Sequence, residues 1–440
     1  MRPAIPWLST KALALSAIAV VAAGGLAACT SSGSSSSSTS SGAPSSSSSA
    51  PSSAAGGGAP ITIGASLSLT GDFSADGQAF QKGYNLWAKD VNAKGGILGR
   101  QVKITVLNDA SNPTQAVTNY QTLINTDHVD LTFGPFSSLI TGPSSAVAAR
   151  AGYALIEGAG GAPSVFNTPQ NQADHNVFDV SLPIADELVP FVNYIASLPA
   201  AQRPKTAAYP MADDPFADPP VQLAQSKLEA LGVKTVYSKI FPAEVAAYTP
   251  AADQVAGKAP DLVVLGSTDV PTVGAFMQAF EQQHYVPKMF IAAAGPDQGA
   301  DFTKAVGAGN ATGVMVPNGW YPSYANPDSQ AMVKEYVAQY GGTASDVNAD
   351  VAEAYAVGQI AAQAITATGG TDNGKIITYL HQATSLTSVQ GPVKFDSLGG
   401  NTAAAAFIFQ WQKGGTYSQV LPLGSPGSVS ILATKPAWTK

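Results

Sequence analysis

From Ile61 onward, short runs of β-type residues alternate with stretches that carry apolar residues at helical spacing, and the alternation occurs twice in succession. That order constrains the fold more than any other feature. Strands separated by helices pair in parallel, and a parallel sheet must be covered by helices on both faces. In the first series, strands are predicted at 61–67, 102–107, 129–133 and 154–156. Between them, 79–91 places Phe80, Tyr84, Trp87 and Val91 at helical spacing, with Lys94-Gly95-Gly96 as its stop, and further helices are predicted at 113–124 and 137–149. In the second series, strands at 206–209, 235–240, 262–265 and 289–292 are separated by helical stretches at 221–230, 251–256 and 273–282. Val314-Met315-Val316 is expected to lead back to the first lobe, with helices at 329–340, 352–366 and 375–383 following. The fold class predicted is α/β, with two similar lobes.

The chain before Ile61 has a different character. Arg2 and Lys11 precede an apolar and small-residue run over 12–26, which is short for a membrane-spanning helix of about 20 residues and fits a secretory leader. Leu26-Ala27-Ala28-Cys29 follows and resembles a bacterial lipobox. The resemblance implies removal of residues 1–28 and a diacylglycerol on the Cys29 sulfur. Cys29 is the only cysteine, so no internal disulfide can form, and lipidation removes a thiol that would otherwise be open to oxidation. Residues 30–60 are nearly all Ser, Gly, Ala and Pro, the composition of a flexible linker. The predicted protein is therefore extracytoplasmic and held to the cell membrane through its lipid alone. The formal net charge is −7 and Lys and Arg form no cluster, which argues against a nucleic-acid partner.

An ordered series of local motifs resembles the leucine/isoleucine/valine-binding proteins of bacterial ABC importers. The series runs through Val91-Asn92-Ala93-Lys94-Gly95-Gly96-Ile97-Leu98-Gly99-Arg100, Asn108-Asp109-Ala110-Ser111-Asn112-Pro113, Phe133-Gly134-Pro135 with Ser137-Ser138, Gly391-Pro392-Val393-Lys394-Phe395-Asp396 and Phe409-Gln410-Trp411. The resemblance implies the type I periplasmic binding protein fold: two doubly wound parallel-sheet lobes joined by a three-stranded hinge. Lobe one is expected at 61–181 and 317–398, lobe two at 182–316 and 399–440, and the tail after Lys413 departs from the family pattern.

Open parallel sheets bind ligands beyond the carboxyl ends of their strands. Phe136-Ser137-Ser138 opens a helix there, where unpaired amides and the helix dipole favour an anion. The resemblance assigns the grip on a ligand carboxylate to Ser138, although either serine is also a helix cap. It puts a ligand-facing carbonyl at Ala159 and a glycine, Gly161, where the family has a threonine hydroxyl. Asp76 stands where the family has an aromatic residue, to meet a ligand cation or to cap a helix, and Phe216 replaces a tyrosine, keeping an apolar wall. Asp269 and Asp297 follow strands of the second series and either face the cleft or are solvated loop acids. Asp297 resembles the family acid that binds the ligand ammonium if a short insertion is allowed.

Enzymatic readings fit less well. Gly158-Ala159-Gly160-Gly161-Ala162-Pro163 ends in proline where a dinucleotide fingerprint needs glycine, and no P-loop, His-Glu-x-x-His or Gly-x-Ser-x-Gly is present. Asp346-Val347-Asn348-Ala349-Asp350 starts like a calcium loop but has Val351 at its glycine position and Val357 at its closing glutamate position. The expected function is capture of a small amino-acid-like or amide-like solute by hinge closure, for delivery to the permease and ATPase subunits of an ABC importer. The protein is expected to act as a monomer, with no cofactor, no metal and no catalytic residues. A sensory binding protein feeding a membrane receptor is the alternative, and an extracytoplasmic enzyme a more distant one.

Overall fold

The computed structural model describes residues 58–439, so the expected leader, Cys29 and nearly all of the linker lie outside the described residues. The first series folds as β1 (Ile61–Leu67), α1 (Ser74–Ala93), β2 (Val102–Asn108), α2 (Pro113–Asn125), β3 (Leu131–Phe133), α3 (Ser138–Arg150) and β4 (Leu155–Glu157). Two short helices, α4 (Pro163–Phe166) and α5 (Pro169–Asp174), then lead into β5 (Val177–Asp179). These strands make one parallel sheet in the order β2-β1-β3-β4-β5.

The second series runs α6 (Val189–Ser197), β6 (Thr206–Ala212), α7 (Asp218–Ala230), β7 (Lys234–Phe241), α8 (Val245–Ala256), β8 (Leu262–Leu265), α9 (Val270–Gln282) and β9 (Met289–Ala292). It closes with α10 (Gly299–Val306), α11 (Ala308–Ala311) and β10 (Val314–Asn318). Its parallel part has the order β7-β6-β8-β9-β10, the same winding as the first sheet. The chain then forms α12 (Pro327–Tyr340), α13 (Ala349–Thr368), α14 (Asn373–Gln382) and a hairpin of β11 (Leu386–Ser388) and β12 (Gly391–Val393), all packed into the first lobe's core. It returns as β13 (Phe407–Trp411) and β14 (Tyr417–Leu421), which extend the second sheet antiparallel to β10 and to each other.

Burial follows strand periodicity. In β8, Val263 and Leu265 join the cluster of Phe276, Phe280 and Phe302, while Leu262 and Val264 face the cluster of Phe191 and Tyr209 on the other side. Each sheet is thus covered on both faces, as side chains alternating across a strand require. In the first lobe, Phe80, Tyr84, Trp87 and Phe133 form one aromatic group whose ring centroids lie 5.1–5.9 Å apart between neighbours. α13 lies against α1 closely enough that a Cβ on Gly358 would come within 2.1 Å of the Trp87 ring.

The chain passes between the two sheets at 180–188, 319–326 and 394–406. The first passage is tied to the third and to the turn of the β11–β12 hairpin. Asn401 Nδ2 donates to Val180 O at 2.9 Å, and Gln390 Nε2 donates to Ser181 Oγ at 3.1 Å. The tail after β14 folds back on the second lobe. Lys435 Nζ donates to Asn310 O and Thr312 O, and Trp438 Nε1 donates to Tyr285 O. Among the described residues, no helix is long and apolar enough to cross a membrane.

Candidate functional site

A cleft of about 740 Å³, counting the space open at its mouth, lies where the carboxyl ends of both parallel sheets converge. The first lobe contributes Phe136-Ser137 after β3, Gly158 to Gly161 after β4, and Asp179 with Ser181 at the end of β5. It adds Asp76 from the first turn of α1, and Ala349, Asp350 and Glu353 from the first turns of α13. The second lobe supplies Phe216 after β6, Thr268 after β8, Ala293, Ala294, Asp297 and Gln298 after β9, and Asn318 at the end of β10.

Seven of the nine residues expected from the sequence line this cleft: Asp76, Phe136, Ser137, Ala159, Gly161, Phe216 and Asp297. Ser138 and Asp269 do not. The Ser138 hydroxyl accepts from Ala162 N at 3.2 Å and so braces the loop after β4. Its neighbour Ser137 lines the cleft, and its buried hydroxyl has no hydrogen-bond partner among the described residues. Asp269 is the cap of α9, its Oδ1 accepting from Thr272 N at 2.8 Å. Gly161 has a steric cause. A Cβ there would lie 2.4 Å from Asp179 Oδ2 and 3.2 Å from Ile184 Cγ1, so a carboxylate fills the space a threonine side chain would need.

The cleft is acidic to a degree that the sequence did not disclose. Asp179, Glu187, Asp350 and Glu353 join Asp76 and Asp297, and no Lys, Arg or His lines it. Asp179 went unseen because β5 is only three residues long, and Glu187 lies in a hinge passage with no periodicity. Asp350 was visible only as part of a failed calcium pattern; it and Glu353 in fact open α13. Among the described residues, no group of three or more His, Cys, Asp or Glu is placed to hold a metal ion.

Burial raises every one of these carboxyls. It holds Asp297 at about 6 and Asp179 at about 7. Asp350 also sits at about 7, through burial and then the charge of Asp297. Asp76 is well above its ordinary value through burial first and Asp350 and Asp297 next. Glu353 and Glu187 are likewise raised, burial leading and neighbouring carboxylates adding. Glu157 lies buried behind them, its Oε2 accepting from Ala159 N at 2.9 Å and Gly160 N at 2.5 Å. Gln298 crosses the cleft from the second lobe: its amide donates to Asp76 Oδ1 at 2.5 Å and to Asp350 Oδ2 at 3.2 Å.

The family model described as periplasmic binding protein matches residues 60–416. An amino acid binding protein of Pseudomonas aeruginosa is 24% identical over 362 residues, covering 82% of this chain and 93% of that protein. The Leu/Ile/Val-binding protein homolog 1 of Brucella melitensis is 26% identical over 382 residues, 82% of this chain and 94% of its own length. Among solved structures, the branched-chain amino acid transporter substrate-binding protein of Streptococcus pneumoniae, in complex with isoleucine, superposes with a TM-score of 0.70 at 20% identity. That match covers 82% of this chain and 99% of the other. A solute-binding protein of an ABC transporter from R. palustris, in complex with 4-hydroxybenzoate, gives a TM-score of 0.70 at 17% identity, covering 86% and 98%.

Proposed function

The chain belongs to the periplasmic binding protein family, and from that premise we propose that it is the lipid-anchored, solute-capturing subunit of an ABC importer, closing two lobes over a small solute more polar than leucine. It is a substrate-binding protein of the branched-chain amino acid transporter type and not an enzyme. Its family places it outside the cytoplasm.

The observation that carries the solute reading is the pair of facing walls. Phe136, Phe216, Leu182, Ile184 and Pro317 make one side of the cleft apolar, while five carboxyl groups of the first lobe and hinge and Asp297 of the second make the other acidic. An aliphatic side chain packed against those carboxyls would leave their hydrogen-bonding capacity unmet in a dry cleft, at a cost of about 1–3 kcal/mol per group. An aromatic acid of the kind bound by the R. palustris protein would add one more carboxylate to an acidic site. An amide, an ammonium or a polar amino acid supplies N–H donors to the carboxyls that Gln298 does not serve. A thermal-shift panel tests this directly, since a ligand at about 100 times its Kd stabilises by about 2.7 kcal/mol. Polar amino acids and amides are expected to raise the melting temperature more than leucine, isoleucine or valine do. Tighter binding of leucine than of every polar compound would sink the reading.

The anchor rests on the Leu26-Ala27-Ala28-Cys29 tetrad and the tether that follows it. Cys29→Ser is expected to release the protein from the membrane fraction or leave it unprocessed. A variant that is processed and remains as firmly bound as the parent would remove the lipid from the proposal.

A further inference from the structure

We infer that the cleft is built for an organic cation carrying at least two positively charged nitrogens, a basic amino acid or its decarboxylated diamine, rather than for a neutral amide or a singly charged ammonium. The inference rests on the cleft being the solute site proposed above.

Six carboxyl groups converge on one cleft from five places in the fold. Asp76 comes from α1, Asp179 from the end of β5, Glu187 from the first hinge passage, Asp350 and Glu353 from α13, and Asp297 from the second lobe. Glu157, the last residue of β4, lies buried behind them next to Asp179 and adds its own field. No cationic side chain lines the cleft to balance them. Like charges held this close in a desolvated space raise one another's energy, and a group without a counter-ion takes up a proton instead. The protein alone therefore meets its own charge with protons.

Two polar atoms are left open toward the same space. Ser137 is 4% exposed, lines the cleft, and its hydroxyl has no hydrogen-bond partner. Glu187 Oε2 is buried and equally unpartnered. Buried polar atoms in folded proteins are normally paired, so two orphans in one cleft point to donors brought by a ligand. Gln298 already uses its amide hydrogens on Asp76 and Asp350. Among the described residues, no side chain of the opposite lobe donates to Glu353, Glu187, Asp179 or Asp297, the last two accepting only from backbone N–H groups of their own lobes.

The charge balance decides how many cations fit. Asp297 stands on the second lobe, while Asp76, Asp179, Asp350 and Glu353 stand on the first, so acidic groups face each other across the cleft. One ammonium would be met by Asp297 alone and would leave the first lobe's carboxyls as they are. Two cationic nitrogens reach both walls and draw protons off the remaining carboxyls into solvent. The α3 N-terminus beside Ser137 can in addition take a carboxylate, which is why a basic amino acid and its decarboxylated counterpart both belong to the class.

Isothermal calorimetry on the full chain in mild detergent, at about pH 7 in two buffers of different ionisation heat, separates the outcomes. The probes are arginine, agmatine, acetamide, leucine and calcium. Arginine or agmatine is expected to bind at least about 10-fold tighter than acetamide or leucine, with release of about one proton or more per ligand seen as a buffer-dependent heat. Arginine tighter than agmatine places a carboxylate at α3; the reverse places a diamine. Asp350→Asn and Glu353→Gln should each weaken that binding about 10-fold and cut the proton release. Both should leave the unliganded protein folded, because an amide replaces a buried carboxyl that is held protonated. Tighter binding of acetamide or leucine without proton release overturns the dication and leaves the solute-binding reading standing. Calcium as the only binder, or no binding of either cationic probe, overturns it as well. Binding of any of these solutes that is untouched by Asp350→Asn, Glu353→Gln and Phe216→Ala alike would overturn the cleft itself.

Discussion

Ser137 and Ser138 stand side by side at the start of α3 and face opposite ways. Ser138 accepts a backbone N–H from Ala162, while Ser137 leaves its hydroxyl free in the cleft. Their alanine variants should therefore separate two effects that are usually confounded. Ser137→Ala removes a ligand contact and no internal bond, so affinity should fall about 10-fold, the equivalent of about 1.5 kcal/mol, with the melting temperature unchanged. Ser138→Ala strands a buried amide, so stability should fall by about 1–3 kcal/mol, with affinity reduced only as far as the loop after β4 loosens. Calorimetry and thermal melts on the two variants check both. The sequence motif located this turn to within one residue, because glycine, proline and serine mark a strand-to-helix junction. Which hydroxyl points inward depends on backbone direction, which no spacing rule reports. Gly161 was legible as a missing hydroxyl, but its cause, the Asp179 carboxylate 2.4 Å from where a Cβ would sit, required the fold.

At the scale of elements, the strands legible in the sequence were those alternating with helical stretches of ordinary length, including β3 and β4 with only three residues each. β1, β8 and β9 begin and end where the pattern does. β5 and the β11–β12 hairpin are equally short but lie outside that alternation, so nothing marked them. α6 was hidden by Pro190, which sits in its first turn, where a missing N–H costs nothing. The tail had no family counterpart to place it, yet it is held by specific contacts. Lys435 N donates to Lys288 O, and its buried ammonium, lowered to about 8, donates to two carbonyls. The Trp438 ring lies 4.3 Å from that ammonium. Lys288 immediately precedes β9 and Asn310 precedes β10, so this clasp grips the amino ends of the strands, opposite the cleft. Trp438→Ala loses its hydrogen bond to Tyr285 and the cation–π contact, and should lower stability by about 1–3 kcal/mol. Ligand affinity should not move; a loss of affinity would show that the clasp and the cleft are coupled.

The whole molecule joins these parts through charge and closure. The two-lobed architecture followed from the doubled alternation, but its acidic interior did not, because the carboxyls come from residues as far apart as Asp76 and Glu353. Each raised carboxyl binds its proton more tightly folded than unfolded. Between the ordinary value of 3.8 and the folded values of about 6 for Asp297 and about 7 for Asp179 and Asp350, the native state holds the extra protons. Their contribution therefore weakens as pH rises through that window. The melting temperature of the unliganded protein should fall between about pH 5 and pH 8, with a shallower fall in Asp350→Asn. A flat profile would mean that the carboxyls are solvated rather than buried. Closure has its own handle in Gln298, whose amide reaches from the second lobe to Asp76 and Asp350 of the first. Those bonds tie the second lobe to the first, so in the proposed hinge motion they favour the closed form. Open and closed forms of such proteins differ by a few kcal/mol, and two hydrogen bonds are of that order. The observed affinity scales with the fraction already competent to bind. Gln298→Ala should thus expand the unliganded protein in small-angle scattering and weaken its ligand about 10-fold or more. Saturating ligand should restore the compact form. An unliganded variant as compact as the parent would show that the hinge passages, not the amide, hold the lobes together.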